Sequence, residues 1–194
     1  MIPQPGPTDG RVRRRLEAMR RAQDAALGLF EKRGFDAVTV GDVARAAGLG
    51  VASLFRNFGT KERLVLWDEY DPLLFEAIAR HLQRKSPLEA MSAGVSEALG
   101  GVYQADRRRV LRRTELIART PALQLASRAD VYALREGLAR VLAPWVKDVL
   151  ERELLCAIFG ATLEVSVERW RKERARRPLP VILRRAFKLV ALVA

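Results

Sequence analysis

Residues 34–62 read GFDAVTVGDVARAAGLGVASLFRNFGTKE, and they carry the strongest structural signal in the sequence. Thr39, followed three residues later by Asp42, is a variant of the capping box that begins a helix. Glycines at both ends of residues 48–50 predict a tight turn, and a second short helix is expected over residues 51–57. Two short helices joined by such a turn are the layout of a helix-turn-helix, a motif whose second helix enters the major groove of DNA.

Side-chain size in this stretch fits two helices that cross closely. Ala47 and Ala52 are small at the positions where we expect the helices to approach each other, and Leu49 can fill the turn. Leu54 and Phe58 are expected to face back toward the first short helix. This arrangement leaves five residues of the second helix on the outside, namely Val51, Ser53, Phe55, Arg56 and Asn57.

Short motifs follow one another in a fixed order along the stretch: Gly34-Phe35, Thr39-Val40, Val43-Ala44, Ala47-Gly48-Leu49-Gly50, Ser53-Leu54-Phe55-Arg56-Asn57-Phe58 and Lys61-Glu62. In residue type and spacing they resemble the TetR family of transcriptional regulators, and with the preceding helix the resemblance covers about residues 11–66. It implies a symmetric dimer with about nine helices in each subunit. A small N-terminal domain would bind DNA, and a larger C-terminal domain would bind an effector and dimerise.

The resemblance also implies which residues contact DNA. Val51, Ala52 and Arg56 correspond to positions that meet base edges, and Arg56 is the side chain best suited to a guanine. Gly50 stands where the family has a Ser or Thr cap, and Phe55 replaces a Tyr whose hydroxyl contacts phosphate. The residues expected at phosphates are Thr39, Ser53, Phe55, Asn57 and Lys61, and the DNA-binding set is completed by Val40, Gly50, Arg13 and Arg14.

Four arginines, at positions 11, 13, 14 and 15, precede or open the helix before this motif. One interpretation is a basic arm that reaches phosphates or the minor groove and adds affinity without setting sequence preference. The other interpretation is the solvated basic start of an ordinary helix.

Helical periodicity continues to the end of the chain and no segment alternates convincingly like a strand, so the predicted fold is all-α. After the motif we expect helices over residues 60–84, with a bend or break near Pro72, and over 87–103, 106–119, 121–146, 148–176 and 179–193. The helix over 121–146 is expected to end early because of Pro144. The predicted domains are a disordered tail (1–8), the helix-turn-helix DNA-binding domain (9–59) and an effector-binding and dimerisation domain (60–194).

The 194-residue chain carries 35 Lys and Arg against 23 Asp and Glu, a formal net charge of +12. Such an excess favours nucleic acid or an anionic membrane as a partner. Residues 1–67 account for only +5 of it. Two arginine-rich clusters outside that region, at residues 107–113 and 169–177, are expected to be solvated faces, with an anionic effector or an extra DNA contact as the alternative.

The residue inventory argues against an enzyme. A single His (His81) excludes a His-cluster metal site, and a single Cys (Cys156) excludes an internal disulfide. There is no paired carboxylate motif and no phosphate-binding loop, so we expect no catalytic residues, no metal and no cofactor. We expect no signal peptide and no membrane span, and hence a cytoplasmic protein without a membrane partner.

The predicted helix over 148–176 is apolar nearly all round between Leu154 and Leu163. Both of its faces must therefore be covered. We expect a partner helix across a two-fold axis to cover one face, with the last helix completing a four-helix interface, and the alternative is the central helix of a monomeric bundle. The predicted interface residues are Leu154, Ala157, Ile158, Ala161, Ile182, Ala186 and Leu189.

The family resemblance places the effector pocket among the helices that cover about residues 60–165. The segment TELIARTPAL at 114–123 looks like that of some actinobacterial relatives, including mycofactocin-type regulators, and this likeness allows an acyl-thioester or other lipophilic effector. Large or adaptable apolar residues are the candidates for the pocket, and each is also a candidate for plain core. They are Trp67, Phe75, Met91, Val95, Tyr103, Ile117, Trp145 and Phe159.

These observations predict a ligand-responsive transcriptional repressor that binds a palindromic operator as a homodimer and is released by a small molecule. The alternative is a basic all-α protein whose arginine clusters bind an anionic membrane or an acyl-thioester ligand, with DNA binding secondary. The helix-turn-helix favours the first prediction, because neither an enzyme nor a membrane-docking protein needs that motif.

Overall fold

The computed structural model describes residues 7–69, 71–100 and 106–193, and over these residues the chain forms ten helices and no strand. The predicted all-α fold is therefore confirmed. The helices are α1 (Pro7–Arg33), α2 (Val40–Ala47), α3 (Val51–Phe58), α4 (Lys61–Leu66), α5 (Asp71–Leu82), α6 (Pro87–Gly100), α7 (Arg107–Arg119), α8 (Pro121–Leu142), α9 (Val149–Lys172) and α10 (Leu179–Val193).

The described residues form one helix more than the expected nine because the segment 60–84 forms two helices, α4 and α5. The backbone of Trp67, with φ −53° and ψ 124°, leaves the helical region and ends α4. Pro72 is the second residue of α5, in the first turn, where a helix does not need its backbone N–H. The end of the predicted helix 87–103 lies partly outside the described residues, since α6 is described to Gly100.

Two predicted ends are corrected. Helix α1 begins at Pro7, so Pro7 and Thr8 belong to a helix rather than to the predicted tail, whose residues 1–6 lie outside the described residues. Helix α9 ends at Lys172 instead of residue 176, because Arg174 and Ala175 adopt positive φ angles of 50° and 55°. Helix α8 ends at Leu142, before Pro144, as expected.

The chain divides into two compact units, and the first is not continuous in sequence. Of the described residues, 7–69 and 116–124 form the first unit, and the others form the second unit. The predicted boundary after residue 59 differs from this division. Leu64 and Val65 of α4, with Leu116 and Leu123 from the later segment, are buried in the core of the first unit.

The core of the first unit is built on α1, which supplies Met19, Ala22, Ala26, Leu27 and Phe30. Gln23 lies on the same buried face and is 2 % exposed. Its Nε2 donates hydrogen bonds to the carbonyl oxygens of Val65 at 3.2 Å and Trp67 at 2.9 Å, so it satisfies carbonyl groups at the end of α4. A salt bridge of 2.7 Å between Arg20 and Glu69 joins the same two regions.

The second unit has its own core, formed by α5 to α10. Helices α5 and α6 approach closely at Gly94, where an added Cβ would lie 2.5 Å from Cγ1 of Ile78. Phe159 and Trp170 of α9 and Phe187 of α10 are fully or almost fully buried there. No helix within the described residues has the length and apolar character needed to cross a lipid bilayer.

Candidate DNA-binding surface

The N-terminus of α2 is fixed by the predicted capping box. Thr39 Oγ1 accepts a hydrogen bond from the backbone N–H of Asp42 at 3.1 Å, and the Asp42 carboxylate accepts one from the backbone N–H of Thr39 at 3.0 Å. The hydrogen bonds that the carboxylate accepts from the backbone N–H and the hydroxyl of Thr39, followed by the charges of Arg33 and Arg45, lower the pKa of Asp42 below its ordinary value. The Thr39 side chain is exposed, and its hydroxyl also donates to Asp42 Oδ2 at 2.9 Å.

The turn between α2 and α3 depends on Gly48, whose φ of 65° is in the left-handed region that favours glycine. The next residue, Leu49, donates its backbone N–H to the Ala44 carbonyl at 2.9 Å and packs its side chain against the core of the first unit. Gly50 caps α3 without a side-chain hydrogen bond, so the direction of α3 is set by the backbone of the turn and by the packing of Leu49.

Helix α3 has a buried face and an outer face. Leu54 and Phe58 are buried in the core of the first unit, whereas Ser53 and Asn57 are half-buried. The outer face consists of four residues at helical spacing, Val51, Ala52, Phe55 and Arg56, and all four are exposed.

The structure corrects the expected role of Ala52, because its exposed side chain is not at a close approach of two helices. Val51 and Phe55 are 44 % and 52 % exposed, so both apolar side chains are accessible to a partner. Arg56 makes no hydrogen bond or ion pair with another described residue. The outer face of α3 therefore presents the Arg56 guanidinium, which has no partner among the described residues, between apolar side chains.

The predicted residues at the edges of this face occupy different environments. Val40 is half-buried and packs against the core of the first unit, so little of it is available to a partner. Lys61, the first residue of α4, is half-buried with its Nζ 4.2 Å from the centroid of the Phe35 ring. A cation–π contact of this kind holds the ammonium group in place.

The basic residues near the N-terminus lie on a helix rather than on a separate arm. Arg13 and Arg14 are exposed on α1, where the Arg14 Nε donates to the Gly10 carbonyl at 3.1 Å. Arg15 makes a contact that was not predicted. Its Nε donates a hydrogen bond to Asn57 Oδ1 at 3.0 Å, which links α1 to the end of α3. The sequence contains no signal for this pairing, since the two residues are 42 positions apart.

The predicted effector-pocket residues that the structure describes are divided between the two units. Trp67 and Ile117 pack against the core of the first unit, whereas Met91, Val95 and Phe159 are fully buried in the core of the second. Phe75 is half-buried against that core, Trp145 is half-exposed, and Tyr103 lies outside the described residues.

The second unit does have an open groove of about 870 Å³ between α5, α6 and α10. None of the predicted pocket residues that the structure describes lines it. Its carboxylates are already engaged, since Glu89 accepts hydrogen bonds from Ser86 and Glu97 pairs with Arg80 and His81.

The predicted dimer residues lie on α9 and α10, which are packed in the core of the second unit. Leu154 and Leu189 are each 54 % exposed, and Ala161 is also exposed. The remaining predicted residues are half-buried: Ala157, Ile158, Ile182 and Ala186. Val165 and Val181, which were not predicted, are exposed and line a pocket beside Ile182 and Leu189.

Comparison with protein families gives two matches that together cover most of the chain. The model described as "Bacterial regulatory proteins, tetR family" matches residues 23–66, which include α2, α3 and α4. The model described as "MftR C-terminal domain" matches residues 85–193, more than half of the chain.

Individual relatives agree with these matches. MftR of Mycobacterium tuberculosis, named as a mycofactocin biosynthesis transcriptional regulator, is 29 % identical over 71 % of this chain and 70 % of its own length. The transcriptional repressor KstR2 of Rhodococcus jostii is 34 % identical over 54 % of this chain and 53 % of its own. The structure of Thermus thermophilus FadR in complex with lauroyl-CoA has a TM-score of 0.53 at 24 % identity, covering 89 % of this chain and 93 % of that one.

Proposed function

Because the chain belongs to the tetR family of bacterial regulatory proteins and is a DNA-binding transcriptional regulator, we propose that it is a repressor that binds a palindromic operator as a homodimer and is released by an acyl effector. DNA binding belongs to the first unit, and effector binding and dimerisation belong to the second. Such a regulator works in the cytoplasm, where its operator is.

The outer face of α3 is the observation that carries the proposal. It presents an arginine with no partner among the described residues, flanked by Val51, Ala52 and Phe55. A guanidinium forms paired hydrogen bonds with the O6 and N7 atoms of guanine, and apolar side chains contact the thymine methyl group. We therefore assign base recognition to Arg56, Val51 and Ala52.

Phosphate contacts fix the register of a recognition helix without reading sequence. We assign them to polar residues around the outer face of α3 and to exposed cations on α1. Gly50 leaves the backbone N–H groups at the start of α3 without a side-chain partner, so they can donate to a phosphate. The proposed phosphate-contacting set is Thr39, Gly50, Ser53, Asn57, Lys61, Arg13 and Arg14.

The exposed apolar surface of α9 and α10 supports dimerisation. Exposed apolar residues that cluster on one part of a protein mark interaction sites, and two-fold dimers bury the same surface of both subunits. A two-fold dimer presents two recognition helices related by that axis, which is why the operator is expected to be palindromic.

An acyl effector is supported by the relatives rather than by a preformed pocket. The Thermus thermophilus FadR structure, similar in fold, contains lauroyl-CoA, and this chain shares the MftR type of C-terminal domain. An effector that binds the DNA-incompetent state more tightly shifts the population away from the operator.

Selection from random duplexes with the full-length protein tests DNA recognition. We expect a palindromic consensus whose affinity falls steeply with salt, because phosphate contacts release counterions. Val51→Asp places a negative charge on the outer face of α3 and should abolish operator binding. The matched control is Val149→Asp, at an exposed valine of α9 in the second unit. Operator binding by the Val51→Asp protein would overturn the assignment of α3.

The repressor and effector parts are tested with the selected operator. A reporter gene downstream of that operator should be expressed less when the protein is present, and a rise in expression would indicate an activator. Lauroyl-CoA should release the purified protein from operator DNA, whereas coenzyme A alone should not. Retention on DNA at saturating lauroyl-CoA would contradict the acyl-effector part and leave the DNA-binding part standing.

A further inference from the structure

We propose that Arg135 of α8 binds an anionic group of the effector, a carboxylate or a phosphate, inside the second unit. This inference rests on the proposed effector-dependent function and names the side chain that distinguishes charged from neutral ligands. Arg135 is half-buried, and its Nε is fully buried with no hydrogen-bond partner among the described residues. An unsatisfied polar atom of a charged group is costly, so native proteins seldom retain one without a use.

The neighbouring helix is shaped around this guanidinium. Gly160 of α9 is buried, and a Cβ added there would lie 2.9 Å from the Arg135 Nε and 3.6 Å from its Cζ. Any larger residue would therefore displace the guanidinium. Gly160 therefore leaves room for the arginine at position 135, although an alanine or leucine at that position would be easier to bury.

Arg135 forms no ion pair with another described residue. The Cys156 thiol feels the charge of Arg135 and also that of Arg152, but burial raises its pKa, so it stays neutral near pH 7. The Arg152 guanidinium donates to the Val146 carbonyl at 2.8 Å, a neutral acceptor. Glu153, which acts on the same thiol, has an exposed side chain. Two guanidinium groups thus act on one region of α9, and an anionic ligand group would satisfy Arg135.

Binding measurements with three twelve-carbon probes test the proposal: laurate, lauroyl-CoA and methyl laurate. Arg135→Met removes the charge and keeps most of the side-chain volume, and Arg140→Met is the control at an exposed arginine of the same helix. We expect Arg135→Met to weaken the binding of at least one of the two charged probes, laurate or lauroyl-CoA, by about tenfold or more. The affinity for the neutral probe, methyl laurate, should not change. Loss confined to laurate would identify a carboxylate, and loss confined to lauroyl-CoA would identify a phosphate.

Gly160→Ala provides an independent variant, because it keeps the arginine and moves its guanidinium. It should weaken the same charged probe while Arg140→Met does not. Equal binding of all three probes by the wild-type and Arg135→Met proteins would overturn the proposal. The proposal would also be overturned if Arg135→Met lost as much affinity for methyl laurate as for the charged probes, or if the dimer dissociated. Either result would indicate a structural role for Arg135.

A second measurement separates failure of this inference from failure of the acyl-effector proposal. If no acyl probe binds the wild-type protein, thermal unfolding still tests Arg135. Without ligand, Arg135→Met should raise the midpoint by about 2–4 °C, because a buried unpaired polar group is removed. Inorganic phosphate should raise the midpoint of the wild-type protein more than that of Arg135→Met. A lower midpoint for Arg135→Met without ligand, or equal stabilisation by phosphate, would overturn the role of Arg135.

Discussion

Arg56 is the side chain on which sequence discrimination is expected to depend. Replacing it by alanine should relax specificity at one base pair of each half-site, at a cost of about 1–3 kcal/mol for the preferred base. Binding to a panel of single-base operator variants measures this change, with Arg21→Ala as a control at an exposed arginine of α1. An equal loss of affinity for every variant would assign Arg56 to a phosphate instead.

Asp42 gives the first unit a predictable response to acid. Hydrogen bonds from Thr39 lower its pKa in the folded state below the ordinary 3.8, so the ionised form is favoured by folding. The ionised carboxylate therefore stabilises the fold at pH values above its ordinary pKa, and this stabilisation is lost as the pH falls through the folded-state pKa.

Asp42→Asn should consequently be less stable than the wild type near neutral pH, and the difference should shrink below about pH 4. Denaturation midpoints measured between pH 7 and pH 3 test this expectation. Asp24→Asn, at an exposed carboxylate of α1, serves as the control. A difference that stays constant across this range would mean that the carboxylate charge has no part in the cap.

Single residues also show where sequence reasoning stops. The Thr39–Asp42 box and the turn at Gly48 follow from local rules, because their partners are three or four positions apart. Gln23 was not predicted to cap α4, although a polar residue among Met19, Ala22 and Ala26 was a signal that a buried partner existed. Arg15 and Asn57 carry no such signal, since only the tertiary fold brings them together.

Among the elements, α9 and α10 carry the exposed apolar residues to which we assign dimerisation, including Leu154 and Leu189. Leu189→Asp should place a charge in the proposed subunit interface and raise the dimer dissociation constant by about a hundredfold or more. Analytical ultracentrifugation measures the change. Leu73→Asp is the matched control, because Leu73 of α5 is a similarly exposed leucine on another helix of the same unit. A Leu189→Asp protein that remains dimeric at low concentration would place the interface elsewhere.

The helices themselves were largely predictable because their ends carry proline, glycine or capping residues. Pro87, Pro121 and Pro144 account for the limits of α6 and α8. The early end of α9 was not predictable, because Arg174 and Ala175 adopt left-handed backbone angles that non-glycine residues seldom have. Nor was the effector pocket, since a buried phenylalanine such as Phe159 has the same sequence pattern whether it contacts core or ligand.

The two units share the chain in an interleaved way, because the first unit takes residues from two separate segments. Leu123 of the later segment is completely buried in the core of the first unit, whereas Leu125, two residues on, is 70 % exposed. Leu123→Ala should destabilise the first unit by about 2–5 kcal/mol and weaken operator binding, although it is more than sixty residues beyond α3. Leu125→Ala is the control. Normal operator affinity and melting for Leu123→Ala would show that the first unit does not depend on this segment.

The discontinuous first unit also has a consequence for synthesis of the protein. A nascent chain that has been translated only to Glu69 has α3 but lacks Leu116 and Leu123, which complete the core beneath it. At about 5–20 residues per second, the ribosome needs several more seconds to supply them. The recognition helix is made before residues 116–124, yet the unit that holds it becomes complete only after those later residues have been added.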